Sequence, residues 1–274
     1  MREKQTTIFG ADQNIKQLNA IIIKTKIRLL DMHYHSNSGH IGGNFSCIDA
    51  LVTLYHTVLK SHDRFILSKG HSAGALYATL WSIGKLNDKE LDTFCADNTL
   101  LPGHPSGNGI PGLLFSTGSL GHGPSLAAGL AVAARYQNTN RHIYCLCSDG
   151  EWQEGSCWEA LIFAAHQKLS NLTIIIDQNS LQGFGHTSEV ISCDNLYQRL
   201  SSFGTQIISI DGHNPSEIKK SLHKKQQDNL KIIILNTIKG FGLHFANSLE
   251  SHYLPLTETQ YFDARQKLLE ELIT

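Results

Sequence analysis

Long apolar runs are missing from this 274-residue sequence. No segment approaches the roughly 20 consecutive apolar residues that a transmembrane helix needs. Residues 1–17 are polar and contain no apolar core of the kind that a signal peptide carries. We therefore expect a cytoplasmic protein that does not bind a membrane.

An excess of charge of either sign is also missing. The 23 Lys and Arg residues nearly balance the 24 Asp and Glu residues, which gives a formal net charge of −1. Proteins that bind nucleic acid usually carry a clear positive excess, because they neutralise backbone phosphates. We therefore expect no nucleic-acid partner.

Cysteine is scarce, with six residues scattered along the chain. Cys145, Cys147 and Cys157 fall inside apolar segments, and the spacing of the first two is not that of a zinc site. In a strand, Cys145 and Cys147 would share one face. We interpret the cysteines as reduced core residues.

The pattern Gly-x-Gly-x-x-Gly, which follows the first strand of a dinucleotide-binding domain, is absent. This absence argues against a nucleotide-binding Rossmann protein. The chain nevertheless alternates short apolar runs with helical patterns, which is typical of an α/β protein.

The amount of apolar sequence suits one large domain. With 41% hydrophobic and 17% charged residues, a chain of this length can bury a sizeable core. We expect a single domain over residues 1–274, an α/β fold with a doubly wound, mainly parallel sheet and helices on both faces. Strands are predicted at residues 63–68, 143–147, 172–176, 205–210 and 232–235. Helices are predicted at residues 12–35, 46–59, 73–83, 125–136, 156–168, 195–203, 215–223 and 257–272.

Two predicted strands end in polar turns. Asp149 follows the strand at 143–147, and Asn179 follows the strand at 172–176. Because parallel strands end at the same edge of a sheet, these two side chains should lie near each other. Their oxygens suit Mg²⁺ or Ca²⁺ rather than zinc, and Mg²⁺ usually completes its shell with water and phosphate oxygens. Asp-Gly and Asn are also ordinary turn residues, so spacing alone leaves a metal site and a simple turn both open.

Histidines recur in glycine-rich loops. Loops are predicted at residues 36–43 and 98–112, while His252 lies in a polar segment without a regular pattern. A single loop histidine usually has no special role, but repeated ones suggest proton transfer or binding of hydroxyl and phosphate groups. The histidines in or beside glycine loops are His40, His71, His104, His122 and His213.

Residues 149–160, continued through 165–172 to 177–179, resemble the thiamine-diphosphate motif of transketolases. The run Glu-Gly-Ser-x-Trp-Glu-Ala at 154–160 makes the resemblance closer to transketolases than to 2-oxo-acid dehydrogenases. Other stretches of that family match in the same order, at residues 37–40, 68–71, 102–105, 117–121, 211–213 and 237–240. Together they cover residues 12–260 and imply the thiamine-diphosphate-binding fold.

The resemblance implies a metal site and a diphosphate site at the end of the sheet. Asp149, Asn179 and the backbone carbonyl of Leu181 would bind Mg²⁺, with Ca²⁺ or Mn²⁺ able to substitute. His71, Gly150 and Asn179 would bind the diphosphate of the cofactor.

The resemblance also implies residues around the rings of the cofactor and around the substrate. Glu154 matches a residue at a subunit contact near the cofactor. The pyrimidine and thiazolium side would be lined by Gly118, Ser119 and Leu120. Three histidines would face the substrate, bind its hydroxyls and move protons: His40, His104 and His252.

The activity implied is that of a transketolase, which transfers a two-carbon ketol unit from a ketose phosphate to an aldose phosphate. A full transketolase continues into a pyrimidine-side domain and a C-terminal domain, which we expect to be absent here. The chain thus resembles the N-terminal subunit of a split, two-chain transketolase. We expect activity only with a C-terminal-type partner, in a heterotetramer that self-associates across the cofactor-binding interface.

Other functions stay open at this point. One is a subunit of another thiamine-diphosphate enzyme, either similar to 1-deoxyxylulose-5-phosphate synthase or decarboxylating a 2-oxo acid. Another is a non-catalytic paralogue that binds a partner or the cofactor without turnover.

Overall fold

The computed structural model describes residues 14–107, 109–192 and 195–273. The strands of this part of the chain are β1 (Arg64–Leu67), β2 (Ile143–Ser148), β3 (Leu172–Gln178), β4 (Leu181–Gln182), β5 (Gly185–His186), β6 (Gln206–Asp211) and β7 (Lys231–Asn236). Five of them form a parallel sheet in the order β1-β2-β3-β7-β6, and β4 pairs with β5 in a small antiparallel hairpin.

The helices alternate with these strands. They are α1 (Ile15–His35), α2 (Ile41–Thr57), α3 (Ala73–Ser82), α4 (Asp88–Leu91), α5 (Gly123–Tyr136), α6 (Gly155–His166), α7 (Thr187–Val190), α8 (Leu196–Ser201), α9 (Pro215–His223), α10 (Glu250–Tyr253) and α11 (Glu258–Ile273). Within the described residues, no helix is both long enough and apolar enough to cross a membrane.

Alternate residues of the strands feed two separate cores. In β2, Tyr144 and Leu146 join the core built with α1, α2, α3, α9 and α11. Ile143, Cys145 and Cys147 point the other way, into the core built with α5, α6 and α8. Both faces of the sheet are therefore apolar, as a parallel sheet between two helical layers requires. The predicted doubly wound α/β fold is confirmed.

The cysteines within the described residues are free. The sulfurs of Cys145 and Cys147 lie 3.7 Å apart on one face of β2, as the strand pattern predicted. Cys145, Cys147 and Cys157 are all buried, which agrees with their interpretation as core residues.

The register of the sheet brings the predicted polar turns together. Ser148 lies opposite Asp177, and Gln178 lies opposite Asn236. The backbone N–H of Asp149 continues the ladder by donating to Asp177 O at 3.1 Å. Residues that follow β1, β2, β3 and β7 thus meet at one edge, the usual ligand-binding edge of such sheets.

One predicted boundary was wrong. The sequence placed Gly42 and Gly43 in a loop and began the second helix at Ser46, but α2 begins at Ile41. The reason is packing, because a Cβ at Gly42 would overlap the side chain of Ser251. Glycine is needed there for close approach of α2 to α10, and not for a turn.

Two other differences concern the ends of the chain. His252, predicted to lie in irregular chain, is part of the short helix α10. Residues 1–13, which include the start of the predicted first helix and most of the polar N-terminal segment, lie outside the described residues.

Candidate functional site

Four histidine rings lie together at the carboxyl edge of the sheet. His40 is at the centre, with ring centroids 5.0 Å from His252, 5.9 Å from His104 and 6.0 Å from His71. His71 is also 5.9 Å from His252. The structure therefore brings together the three predicted substrate-facing histidines and the predicted diphosphate-binding histidine, although they are up to 212 residues apart (252 − 40).

Each histidine is held by a different element. His40 is the residue before α2 and has φ 67°, a left-handed conformation that is uncommon for a residue with a side chain. Its N–H donates to His252 O at 2.9 Å. His71 lies in a 3₁₀ turn, Gly70–Ser72, directly after β1, and His104 lies in the loop before α5. Strain of this kind often marks a functional position.

Burial and neighbouring cations keep three of these rings neutral. Burial, followed by the charges of Lys69 and His252, holds the pKa of His71 well below its ordinary value. Burial and the neighbouring His104 lower the pKa of His40. Burial and Lys239 lower the pKa of His252 to about 3. A neutral imidazole has one donor and one acceptor nitrogen, which suits proton transfer to and from hydroxyl groups.

Lys239 is a functional candidate that sequence reasoning missed. Its Nζ donates to Leu181 O at 3.0 Å and to Nδ1 of His252 at 2.8 Å. Because an ammonium group only donates, Nδ1 of His252 must accept, and the ring hydrogen then sits on Nε2. Burial and Lys69 lower the pKa of Lys239 to about 8. Its position directly after β7, in the matching stretch at 237–240, was the available signal.

The predicted metal ligands lie at the ends of two adjacent strands. The carboxylate of Asp149 accepts from Gly150 N at 2.8 Å and from Ser180 N at 2.6 Å. The side-chain oxygen of Asn179 accepts from Leu181 N at 3.1 Å. Burial, followed by the charge of nearby Asp177, raises the pKa of Asp149 to about 6. A divalent cation beside this carboxylate would lower that pKa again.

A buried ion pair lies beneath these ligands and was also missed. Lys69 and Asp177 are both fully buried, and the Lys69 ammonium donates to Asp177 Oδ2. Ser46 and Asn179 donate to the same oxygen, and Thr237 donates to Oδ1. The pair therefore joins α2 to the ends of β1, β3 and β7. An alternating strand pattern only indicates that Asp177 points to one face and does not reveal these partners.

The residues predicted on the ring side of the cofactor lie nearby but are less enclosed. A Cβ at Gly70 would come within 2.7 Å of Gly118 N, so the chain at Gly118 passes directly over the turn that carries His71. Ser119 is exposed at an open cavity of about 510 Å³, and Leu120 after it is half-buried. Glu154 precedes α6 with an exposed side chain, so it lies at the surface rather than in the cleft.

The residues present fit a metal-bound diphosphate. Asp149, Asn179 and the carbonyl of Leu181 offer only oxygen ligands, which Mg²⁺ and Ca²⁺ prefer. Among the described residues, Thr117 is one whose buried hydroxyl has no hydrogen-bond partner. That hydroxyl lies 2.9 Å from the position that a Cβ at Gly70 would take, beside the turn of His71. A phosphate oxygen could satisfy it.

Comparison with known proteins identifies the family. Residues 18–271 match the family described as transketolase, thiamine diphosphate binding domain. One of the two subunits of an apulose-4-phosphate transketolase, from Phocaeicola vulgatus, is 34% identical over 262 residues, which cover 91% of this chain and 92% of that protein. A subunit of a 6-deoxy-6-sulfo-D-fructose transketolase from Clostridium sp. is 38% identical over 245 residues, with 85% and 89% coverage.

Longer relatives match over part of their length. Homo sapiens transketolase is 33% identical over 275 residues, which cover 95% of this chain but 43% of that protein. The structure of a transketolase from Leishmania mexicana superposes with a TM-score of 0.81 and 25% identity, covering 95% of this chain and 45% of the other. The chain therefore spans nearly the whole of the subunit relatives and less than half of these longer proteins.

Proposed function

This chain belongs to the transketolase family, as a counterpart of its thiamine-diphosphate-binding domain, and from that premise we propose its function. It is the cofactor-binding subunit of a two-chain enzyme that transfers a two-carbon ketol unit from a ketose, such as a ketose phosphate, to an aldose. The observation that carries the proposal is the meeting of His40, His71, His104 and His252 at the sheet edge that bears Asp149 and Asn179.

The first part of the proposal concerns the cofactor. Asp149, Asn179 and the carbonyl of Leu181 bind Mg²⁺, and the diphosphate lies against His71 and Gly150. A Cβ at Gly150 would come within 2.6 Å of the Gln182 side chain, so glycine leaves room for close approach at this turn. When bound, thiamine diphosphate supplies the electron sink for the two-carbon fragment.

The second part concerns proton transfer by the histidines. Lys239 holds Nδ1 of His252, which leaves the Nε2 hydrogen available to a substrate oxygen. His40 and His104 lie on the other side of the same group of rings. Neutral imidazoles can take a proton from a substrate hydroxyl and return it to a developing alkoxide, a role that needs no permanent charge.

The third part concerns a partner chain. Apolar side chains stand exposed around the cleft, with Phe184 86% exposed on the β4–β5 hairpin and Tyr253 and Leu254 each 55% exposed after the histidine-bearing turn of α10. Tyr253 donates to Gly183 O at 2.7 Å, so this rim is a connected surface. Exposed apolar groups around a cleft favour coverage by another protein. We assign that role to a C-terminal-type subunit, which would complete the site from the open side.

Self-association is proposed on a second surface. Ile162 and Phe163 of α6 are 54% and 46% exposed, on the same helix that Glu154 precedes. Contact between two copies there would place Glu154 at the subunit contact and give a heterotetramer with two partner chains. We expect the assembly to work in the cytoplasm, where sugar phosphates occur.

Calorimetry tests cofactor binding. We expect thiamine diphosphate to bind the chain assembled with its partner only when Mg²⁺ is present, and thiamine monophosphate to bind more weakly. Failure of the assembled pair to bind thiamine diphosphate would contradict the proposal.

Product analysis tests the reaction. Mass spectrometry should show a ketose and an aldose that have exchanged two carbons, without release of CO₂. Release of CO₂ would instead indicate a decarboxylating enzyme of the same cofactor class.

A further inference from the structure

The buried pair of Lys69 and Asp177 is more extensively bonded than a structural ion pair needs to be. Oδ2 of Asp177 accepts from the Lys69 ammonium, from Ser46 Oγ and from Asn179 Nδ2, the last at 3.1 Å. The Lys69 ammonium also donates to Gly43 O at 3.0 Å, in the first turn of α2. One carboxylate therefore connects the start of α2 with a predicted metal ligand.

The Asn179 side chain has only one orientation that satisfies its neighbours. The oxygen and nitrogen of an amide have nearly the same shape, so hydrogen-bond partners decide which way the group faces. Asp177 can only accept and the backbone N–H of Leu181 can only donate. Nδ2 must therefore face Asp177, and Oδ1, which accepts from Leu181 N at 3.1 Å, must face the opposite side.

We propose that Asp177, held by Lys69, is a positioning residue that fixes the amide of Asn179 with its oxygen toward the metal. The inference rests on the proposed function, in which Asn179 binds Mg²⁺. A turned amide would present NH₂ to the cation and remove one ligand. Neighbours that orient a metal ligand commonly change metal affinity by about 10- to 100-fold when removed.

Lys69 has a separate task in this arrangement. A carboxylate buried without a cation is strongly unfavourable, and breaking one half of a buried pair leaves the other charge uncompensated. Lys69 therefore keeps Asp177 ionised and in place. Removing both charges together avoids this penalty, because replacement of a buried pair by uncharged residues of similar volume is often neutral for stability.

Two double variants separate positioning from stability. Lys69→Met with Asp177→Leu removes both charges and the acceptor for the Asn179 amide. Lys69→Met with Asp177→Asn removes both charges but keeps a carbonyl that can accept from Asn179, while its NH₂ can donate to Thr237. The two proteins differ only in whether residue 177 can hold the amide.

The experiment is a Mg²⁺ titration of the chain assembled with its partner, at saturating thiamine diphosphate, read by calorimetry. We expect the leucine variant to lose 10- to 100-fold in Mg²⁺ affinity and the asparagine variant to stay within about threefold of wild type. Equal affinity in all three proteins, or equal loss in both variants, would overturn the inference. If wild type itself does not bind Mg²⁺ with thiamine diphosphate, the proposed function fails instead.

A second measurement needs no variant. In a crystal structure of the Mg²⁺-loaded wild-type assembly, Asn179 Oδ1 should lie on the metal and Nδ2 within hydrogen-bond distance of Asp177. An Asn179 side chain that contacts the metal without contacting Asp177 would overturn the inference even if the double variants do not fold.

Discussion

The ammonium group of Lys239 lies 2.8 Å from Nδ1 of His252, and the two side chains act as one electrostatic unit. The lysine can donate only if His252 is neutral, and a protonated ring would face a cation at contact distance. Both pKa values are lowered, that of His252 to about 3, chiefly by burial and then by Lys239, and that of Lys239 to about 8.

The first prediction follows from this pair. In the metal-free protein, Lys239→Met should raise the pKa of His252, because a positive charge that opposes protonation is removed. The value should stay below about 6.5, since burial still disfavours the imidazolium. NMR of the ring signals across a pH series measures it.

Lys231 provides the matched control. It is also a buried lysine with a pKa lowered to about 8, but it begins β7 at the opposite end of the sheet. Lys231→Met should leave the titration of His252 unchanged. An unchanged His252 in Lys239→Met would show that the contact has no electrostatic effect.

The second prediction concerns stability in mild acid. Burial lowers the pKa of His33 to about 4, below the ordinary 6.5. Between these values the unfolded chain binds a proton that the native state does not, so stability is full above pH 6.5 and falls as pH drops toward 4. At pH 5 this residue alone should cost about 2 kcal/mol.

Urea unfolding at pH 7.5 and pH 5 checks this value. His33→Gln cannot titrate, so its loss of stability between the two pH values should be smaller than that of wild type by about 2 kcal/mol. Identical losses would mean that His33 is protonated in the native state.

The third prediction compares two glycines inside helices. In α2, Gly42→Ala should destabilise the protein by about 1–3 kcal/mol, because the new methyl overlaps Ser251 beside His252. In α5, Gly129→Ala meets no atom within 4 Å and should stabilise by up to about 1 kcal/mol. Thermal unfolding measures both, and a tolerated Gly42→Ala would show that α10 is not packed against α2.

The fourth prediction concerns metal removal. Burial raises the pKa of Asp149 to about 6, which means that its charge is unfavourable in the metal-free native state. We expect Asp149→Asn to be at least as stable as wild type without Mg²⁺, but to lose the stabilisation that Mg²⁺ and thiamine diphosphate give. For wild type that gain is about 2.7 kcal/mol at 100 times the dissociation constant.

Asp63→Asn is the control for this experiment. The Asp63 carboxylate is also buried, but it accepts from the backbone N–H groups of Lys60 and His142 before β1 and β2, at the other edge of the sheet. Its response to Mg²⁺ and thiamine diphosphate should match wild type. A retained response in Asp149→Asn would remove Asp149 from the metal site.

Much of the fold was predictable because buried parallel strands are short, apolar and regularly spaced. The approach of Asp149 to Asn179 also followed, since it depends only on strand order. The start of α2 did not follow, because Gly42 and Gly43 suit a loop equally well until Ser251 is known to press against them.

The partners of charged residues were the other gap. Nothing near Lys69 in the sequence points to Asp177, which is 108 residues away. Lys239 likewise gains its role from Leu181 and His252, which other elements bring to it. Local patterns predict which side chains lie at the edge of the sheet, while tertiary contacts decide which of them interact.

The central claim is that this chain holds the diphosphate end of an active site that a second chain completes. The most direct test is to titrate a C-terminal-type partner into the purified chain with thiamine diphosphate, Mg²⁺, a ketose phosphate and an aldose phosphate. We predict no two-carbon transfer by either chain alone, and a rate that rises to a plateau at one partner per chain. Full transfer by this chain alone, or no transfer at any ratio, would contradict the account.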